Sequence, residues 1–136
     1  MINVSKYKNI VLDFDGVILD ANKERKLNMK LVLDENLNQE LSNLTFDYFS
    51  KNPGISRNIL LGKFIKDELI LKKVLKQYYT LNLSTLHNCN LVKGVEEFII
   101  KFYKSKKIFV LTGADEEEVK NLVKKKKLNK YIFYLG

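Results

Sequence analysis

The amino-acid order predicts an α/β fold built on a parallel sheet, and three observations carry this. Ile10-Val11-Leu12, within Asn9 to Asp13, is a short continuous apolar run. Such a run suits a strand covered on both faces of a parallel sheet. Lys107-Ile108-Phe109-Val110-Leu111 is a second such run, and Tyr131 to Leu135 reads as a third. Strand, helical insertion, helix, strand, helix, strand is an alternating order that favours parallel strands joined by right-handed crossovers.

Residues from about Ala21 to Leu83 read as several helices. Leu27 and Leu31 are spaced i, i+4, Leu41, Leu44 and Tyr48 continue a stripe, and Ile70, Val74 and Tyr78 form another. Asn52-Pro53-Gly54 is the clearest break. Asn82 to Asn90 is polar and reads as an irregular return linker. Gly94 opens an amphipathic helix marked by Val95, Phe98, Ile99 and Phe102. Asp115 is placed to cap the next helix, with Glu118 three residues on as the partner of a capping box. The acidic start of that helix, Asp115 to Glu118, and its basic end, Lys124 to Lys127, both suit the helix dipole. Val119, Leu122 and Val123 give it one apolar face.

A length of 136 residues suits one domain. Hydrophobic residues at 46% and charged residues at 29% describe a globular chain and not a disordered one. With Cys89 as the one cysteine no internal disulfide forms, and it reads as an inert thiol in a reducing compartment. The first residues, Met1 to Lys6, hold no apolar leader, and no apolar run approaches the ~18 residues that span a bilayer. The expectation is a cytoplasmic protein with no membrane partner. The net charge of +8 comes from dispersed lysines; arginine occurs only at Arg25 and Arg57, and aromatics do not interleave with the basic residues. That pattern reads as solvated helix faces and not as a nucleic-acid surface, although a positive field draws in anionic substrates.

The chemistry concentrates in Asp13-Phe14-Asp15-Gly16-Val17, just past the first apolar run. Polar residues beyond the carboxyl end of a parallel strand are where α/β sheets place their sites. Carboxylates at i and i+2 of an extended segment share one side, so one can serve as nucleophile and the other as proton donor. Gly16 permits a sharp turn. A carboxylate nucleophile divides phosphoester hydrolysis into two easier displacements, and Mg²⁺ suits carboxylate and phosphate oxygens.

Val11-Leu12-Asp13-Phe14-Asp15-Gly16-Val17-Ile18-Leu19-Asp20 resembles the first motif of the haloacid dehalogenase superfamily, and Val110-Leu111-Thr112-Gly113-Ala114 resembles its second. The resemblance extends through Gly94-Val95 and Tyr131-Ile132-Phe133. It implies an incomplete, three-stranded Rossmann-like core over residues 1–19 and 91–136, with residues 20–90 as an inserted helical cap and return linker. It also implies roles. Asp13 would attack phosphorus and carry the phosphoryl group. Asp15 would protonate the leaving alcohol and then activate water. The Asp13 side chain and the Asp15 main-chain carbonyl would hold Mg²⁺. The Thr112 hydroxyl and Gly113 N–H would hold phosphoryl oxygens at the start of the following helix; the alternative for Thr112 is a residue that caps its own backbone. An aspartate at position 15 points within this superfamily to phosphate esters, not to dehalogenation.

Asn52-Pro53-Gly54-Ile55-Ser56-Arg57 resembles a cap segment of members linked to sugar-phosphate or surface-polysaccharide metabolism. Arg57 is then either an anion clamp on a small phosphorylated substrate or an exposed residue of a helix's first turn. His87 reads as a linker histidine, and His87 with Cys89 lacks the further ligands of a zinc site.

The resemblance also implies two elements that follow the third strand, a lysine and an acidic pair that completes the Mg²⁺ site. The sequence as written ends at Gly136 without them. This leaves three readings open: a phosphatase that is part of a longer polypeptide or completed by another chain, a truncated relative serving as a binding or structural module, and a phosphomutase of the same superfamily. The first strand would be an unpaired apolar edge, which self-association in a homo-oligomer would cover.

Overall fold

The computed structural model describes residues 4–136. Met1 to Asn3, part of the segment read above as free of an apolar leader, lie outside the described residues. The elements run β1 (Asn9–Asp13), α1 (Asn22–Asn36), α2 (Gln39–Lys51), α3 (Arg57–Gly62), α4 (Glu68–Thr85), α5 (Val95–Phe102), β2 (Lys107–Leu111), α6 (Glu116–Lys125) and β3 (Tyr134–Leu135). The strands form one parallel sheet in the order β1-β2-β3. The fold is a Rossmann-like α/β core with four inserted helices, α1 to α4, between its first strand and α5. No helix among the described residues is long and apolar enough to cross a membrane.

The first two strands start and stop where the apolar runs do. Their register pairs Asn9 with Lys107 and Asp13 with Leu111, so both carboxyl ends finish level. The third strand is shorter than Tyr131 to Leu135. Tyr131 N–H donates to the Leu128 carbonyl at 3.0 Å in a turn, while Phe133 N–H reaches the Ile108 carbonyl at 2.7 Å. Tyr131 and Ile132 spend their apolar surface on the core beneath the sheet instead of on the ladder.

Two apolar cores result. One lies under the sheet and gathers Phe14, Ile18, Leu19, Ile99, Ile108, Val110, Val119 and Leu122. The other lies among the inserted helices and gathers Met29, Val32, Leu33, Phe49, Leu60, Leu61, Val74 and Tyr78. The expected faces of α4, α5 and α6 are the buried ones, but those of α1 and α2 are not. Leu27 and Leu31 point to solvent, and α1 buries Arg25, Asn28, Met29, Val32 and Leu33. On α2 the buried line is Ser42, Thr45 and Phe49, with Leu44 exposed. In both helices polar side chains occupy the inner face, so the apolar stripe does not mark it.

The return from α4 is also more regular than its polar composition suggests. α4 continues to Thr85 and passes into a 3₁₀ turn over Leu86–Asn88. The outgoing and returning chains then pair. Asp20 N–H donates to the Asn90 carbonyl and Val92 N–H to the Ile18 carbonyl, each at 2.9 Å, and Leu19 bridges Leu91 in antiparallel sense.

Among the described residues the sheet is covered on one face only. Ile108 and Val110 are buried, whereas Val11 is 58% exposed and Leu111 and Tyr134 are also open. Among the described residues β1 has one neighbour, β2. The apolar run at Ile10-Val11-Leu12 therefore does not mark a strand covered on both faces here.

Burial assigns the α1 faces a clear energetic difference. Leu33→Ala is expected to cost about 2–5 kcal/mol through cavity formation, and Leu27→Ala no more than ~0.5 kcal/mol. Urea denaturation midpoints of the two variants measure this, and equal costs would contradict the observed facing.

Candidate active site

β1 stops at Asp13, and the next residues turn back sharply. Phe14 is buried in the sheet's core, and its carbonyl accepts from the N–H groups of Ile18 and Leu19 at 2.9 and 3.0 Å. Gly16 N–H donates to the Leu19 carbonyl at 2.7 Å. Gly16 has φ +76°, which L side chains rarely adopt, so the backbone favours glycine there; a Cβ would also meet the Asn22 side chain, which can move aside. The loop, and not strand alternation, sets the direction of Asp15. The two carboxylates consequently meet different surroundings: Asp13 is exposed, with Oδ1 accepting from Phe14 N–H at 2.7 Å, while the Asp15 side chain is only 14% exposed.

The level ends of β1 and β2 set Thr112 beside this loop. Thr112 Oγ1 accepts from Ala114 N–H at 3.1 Å, so the hydroxyl stabilises its own turn, as the self-capping alternative holds. Its single O–H remains a donor. Asp115 caps α6 through Glu118 N–H at 3.0 Å. Gly113 touches the inserted helices directly: a Cβ on it would lie 2.5 Å from the Gly54 carbonyl oxygen. The Asn52-Pro53-Gly54 turn thus rests on the loop after β2.

Glu118 does not return its side chain to Asp115 as a capping box requires. It turns inward and meets Arg25. Arg25 Nη2 lies 2.6 Å from Glu118 Oε1, and Arg25 Nε lies 2.7 Å from Asp15 Oδ2. The side chains of Arg25 and Glu118 are 3% and 2% exposed. At these distances Coulomb attraction holds the guanidinium firmly between the two carboxylates. Asn82 Nδ2 donates to Glu118 Oε2 at 3.0 Å, and Asn28 Nδ2 donates to Asn82 Oδ1 at 2.8 Å. Burial acts to lower the Arg25 pKa, and the Asp15 and Glu118 carboxylates outweigh it. The guanidinium is held above the ordinary arginine value and stays charged. Sequence reasoning did not single out Arg25, Asn82 or the inward Glu118. One signal was present: Glu118 lies beside Val119 and four residues before Leu122, on the apolar stripe of its helix.

A cleft of about 410 Å³ opens between the inserted helices and the start of α6. Arg25, Arg57, Tyr78 and Tyr79 line one side, and Gly113, Asp115 and Glu118 the other. Arg57 is half-buried and folds back, with Nη1 donating to the Ile55 carbonyl at 2.8 Å and the guanidinium 5.3 Å from the Phe49 ring centre. Its Nε is buried without a partner. Arg57 and Gly113 thus share the cleft, Asp15 adjoins it through Arg25, and Asp13 lies outside its lining at the end of β1.

The sequence matches the model of the haloacid dehalogenase-like hydrolase family over residues 10–135. The chain belongs to this family. Solved structures share its fold at low identity. A predicted phosphatase from Clostridium acetobutylicum superposes with a TM-score of 0.72 at 17% identity, covering 95% of this chain and 60% of that one. A predicted phosphoglycolate phosphatase from Haemophilus somnus gives 0.70 at 18%, covering 98% and 63%. A protein assigned as a beta-phosphoglucomutase from Thermotoga maritima gives 0.56 at 21%, covering 95% and 60%. The chain therefore spans about 60% of the length of these relatives. No curated protein sequence matches it significantly.

The family implies a divalent metal at the end of β1. Among the described residues no three or more His, Cys, Asp or Glu side chains cluster as a cage. The exposed Asp13 carboxylate and the main-chain carbonyl of Asp15 in the next loop are the groups that could hold it. Such a set suits Mg²⁺, which takes one or two carboxylates and completes its shell with water and substrate phosphate. The other sequence-marked groups lie apart from it. His87 is exposed, and burial first, then the Glu24 carboxylate, pushes the Cys89 thiol up. Lys126, at the basic end of α6, donates to the His87 and Cys89 carbonyls at 3.0 and 2.6 Å and pins the returning chain.

The approach of Gly54 to Gly113 yields a test. Gly113→Ala forces a methyl group against backbone, and overpacking of this kind costs about 1–3 kcal/mol. Hydrogen exchange is expected to rise across residues 52–57 while remaining near wild type in β1 and β2.

Proposed function

We propose that this haloacid dehalogenase-like chain carries the chemistry of a Mg²⁺-dependent phosphomonoester hydrolase, with residues 1–19 and 91–136 as the core and 20–90 as the cap. The observation that carries the reading is the pairing of Asp13 with Leu111. It supports the reading because Thr112 and Gly113 follow Leu111 directly in the chain and Asp13 is exposed at the same end of the sheet.

Asp13 attacks phosphorus, a P–O bond to its carboxylate forms, and the bond to the substrate alkoxy oxygen breaks. Asp15, entering the step in its protonated form, gives that proton to the oxygen, so the alcohol leaves neutral and Asp15 is left as the carboxylate that pairs with Arg25. Water then attacks the phosphorus, Asp15 takes its proton, and the aspartyl–phosphate bond breaks to release phosphate and Asp13. The Thr112 O–H and Gly113 N–H donate to phosphoryl oxygens, near the amide-rich start of α6. When bound, Mg²⁺ supplies charge neutralisation at the phosphoryl oxygens. The cleft lined by Arg57, Tyr78 and Tyr79 has the volume for a small phosphorylated metabolite such as a sugar phosphate. A second reading, a ligand-binding module without turnover, is favoured by the small set of metal-binding oxygens among the described residues.

The deciding measurement is hydrolysis of a generic aryl phosphate. Turnover is expected to require Mg²⁺ and to fall at least ~10³-fold in Asp13→Asn, the scale for loss of a covalent nucleophile. Turnover that survives this change overturns the assignment. Absent turnover with retained binding of Mg²⁺ and a phosphate-mimicking fluoride establishes the second reading.

A further inference from the structure

We infer that Arg25 is a positioning residue, which fixes the orientation of the Asp15 carboxylate and ties that orientation to the seating of the inserted helices on the sheet. The inference rests on the hydrolase reading for the task it gives Asp15, and on the geometry alone for the link itself.

Arg25 stands on α1, Asp15 in the loop after β1, Glu118 on α6, and Asn82 on α4. Each contact in the series Asp15–Arg25–Glu118–Asn82–Asn28 falls between 2.6 and 3.0 Å. A planar guanidinium presents its N–H groups as a rigid fork. With Nη2 held by Glu118, Nε fixes the place of Asp15 Oδ2. That leaves Asp15 Oδ1 buried and without a partner. One oxygen is thus held by the guanidinium, and the other is closed off from solvent in this arrangement. Arg25 stands on an inserted helix and Glu118 on α6, and α4, which packs on both α1 and α6, seats one against the other. A shift of the inserted helices would therefore release Asp15, so its alignment depends on closure. Neutral side chains in these places would not supply the link, because a buried charge demands opposite charge within contact distance.

The chain contains two arginines, so its NMR spectrum holds two arginine Nε–H signals, and Arg57→Lys assigns them. The Arg25 signal is expected to shift in Asp15→Asn and again in Glu118→Gln. An Arg25 signal unmoved in Asp15→Asn overturns the link, whatever reaction the chain performs. In aryl phosphate hydrolysis, Arg25→Ala is expected to lower kcat ~10²-fold, the scale for loss of one preorganised electrostatic group, with KM changed less than about twofold. Arg25→Lys, which keeps the charge but not the fork, is expected to lose ~10-fold, and guanidinium ions should restore part of the Ala variant's rate. A raised KM with unchanged kcat overturns the positioning role in favour of substrate binding. Failure of the hydrolase reading appears instead in Asp13→Asn, so the two failures are separate signals.

Discussion

A guanidinium removed from water constrains everything around it. Arg25 is almost fully buried, and taking an ion of this size out of water costs several kcal/mol unless opposite charge and hydrogen bonds surround it. Two carboxylates do so here, from a strand-end loop and from a helix more than 90 residues away in sequence. Such a pair adds little net stability over a well-packed apolar substitute. Its effect is to make wrong arrangements expensive, since leaving either charge alone costs about 3–5 kcal/mol. Four elements meet at this point: the β1 loop, α1, α4 and α6. Their relative placement is therefore set by charge as much as by shape. Asn82 and Asn28 extend the same demand into the inserted helices by satisfying the second Glu118 oxygen and then each other.

The sheet supplies the other half of the site through register. Parallel ladders bring the carboxyl ends of neighbouring strands to one edge, and pairing of Asp13 with Leu111 makes those ends level. A slip by one residue would turn Ile108 and Val110 away from the core, so apolar burial protects the alignment of Asp13 with Thr112. The two loops then differ in their work. The first depends on Gly16 to fold back tightly, and the second on Gly113 to let the Gly54 carbonyl approach. Neither glycine touches chemistry by its side chain, yet each decides where a polar group beside it can stand.

Much of this order was legible in the sequence, for identifiable reasons. β1 and β2 were readable because continuous apolar runs end at polar, glycine-containing segments. Asp115 was readable as a cap because capping is local. The faces of α1 and α2 were not, because apolar periodicity detects inward residues only when they are apolar. Arg25 and Asn28 are inward and polar, and Asn28 finds its partner Asn82 across 54 residues. Glu118 was misread for a related reason: a local partner, Asp115, fitted a known pattern, while the stronger demand came from a buried guanidinium far away in sequence. The length of β3 was overestimated because an apolar segment reads alike whether it enters the ladder or packs beneath it. Arg57 is half-buried and not on an exposed first turn: it bonds its own loop and also borders the cleft.

The open side of the sheet and the sparse metal site share a geometric origin. Asp13 stands at the carboxyl end of β1, and β1 is an edge strand among the described residues. Groups approach Asp13 from its own loop and from the β2 side, where Thr112 and Gly113 lie. A strand paired on both flanks would receive loops from both, and with them further oxygens for a cation that takes six ligands. The exposed Val11, Leu111 and Tyr134 lie on the face of the same sheet that no packed core reaches. An apolar face and an unpaired ladder edge both favour association. On the cap side, by contrast, the buried Arg25 and Glu118 charges face each other.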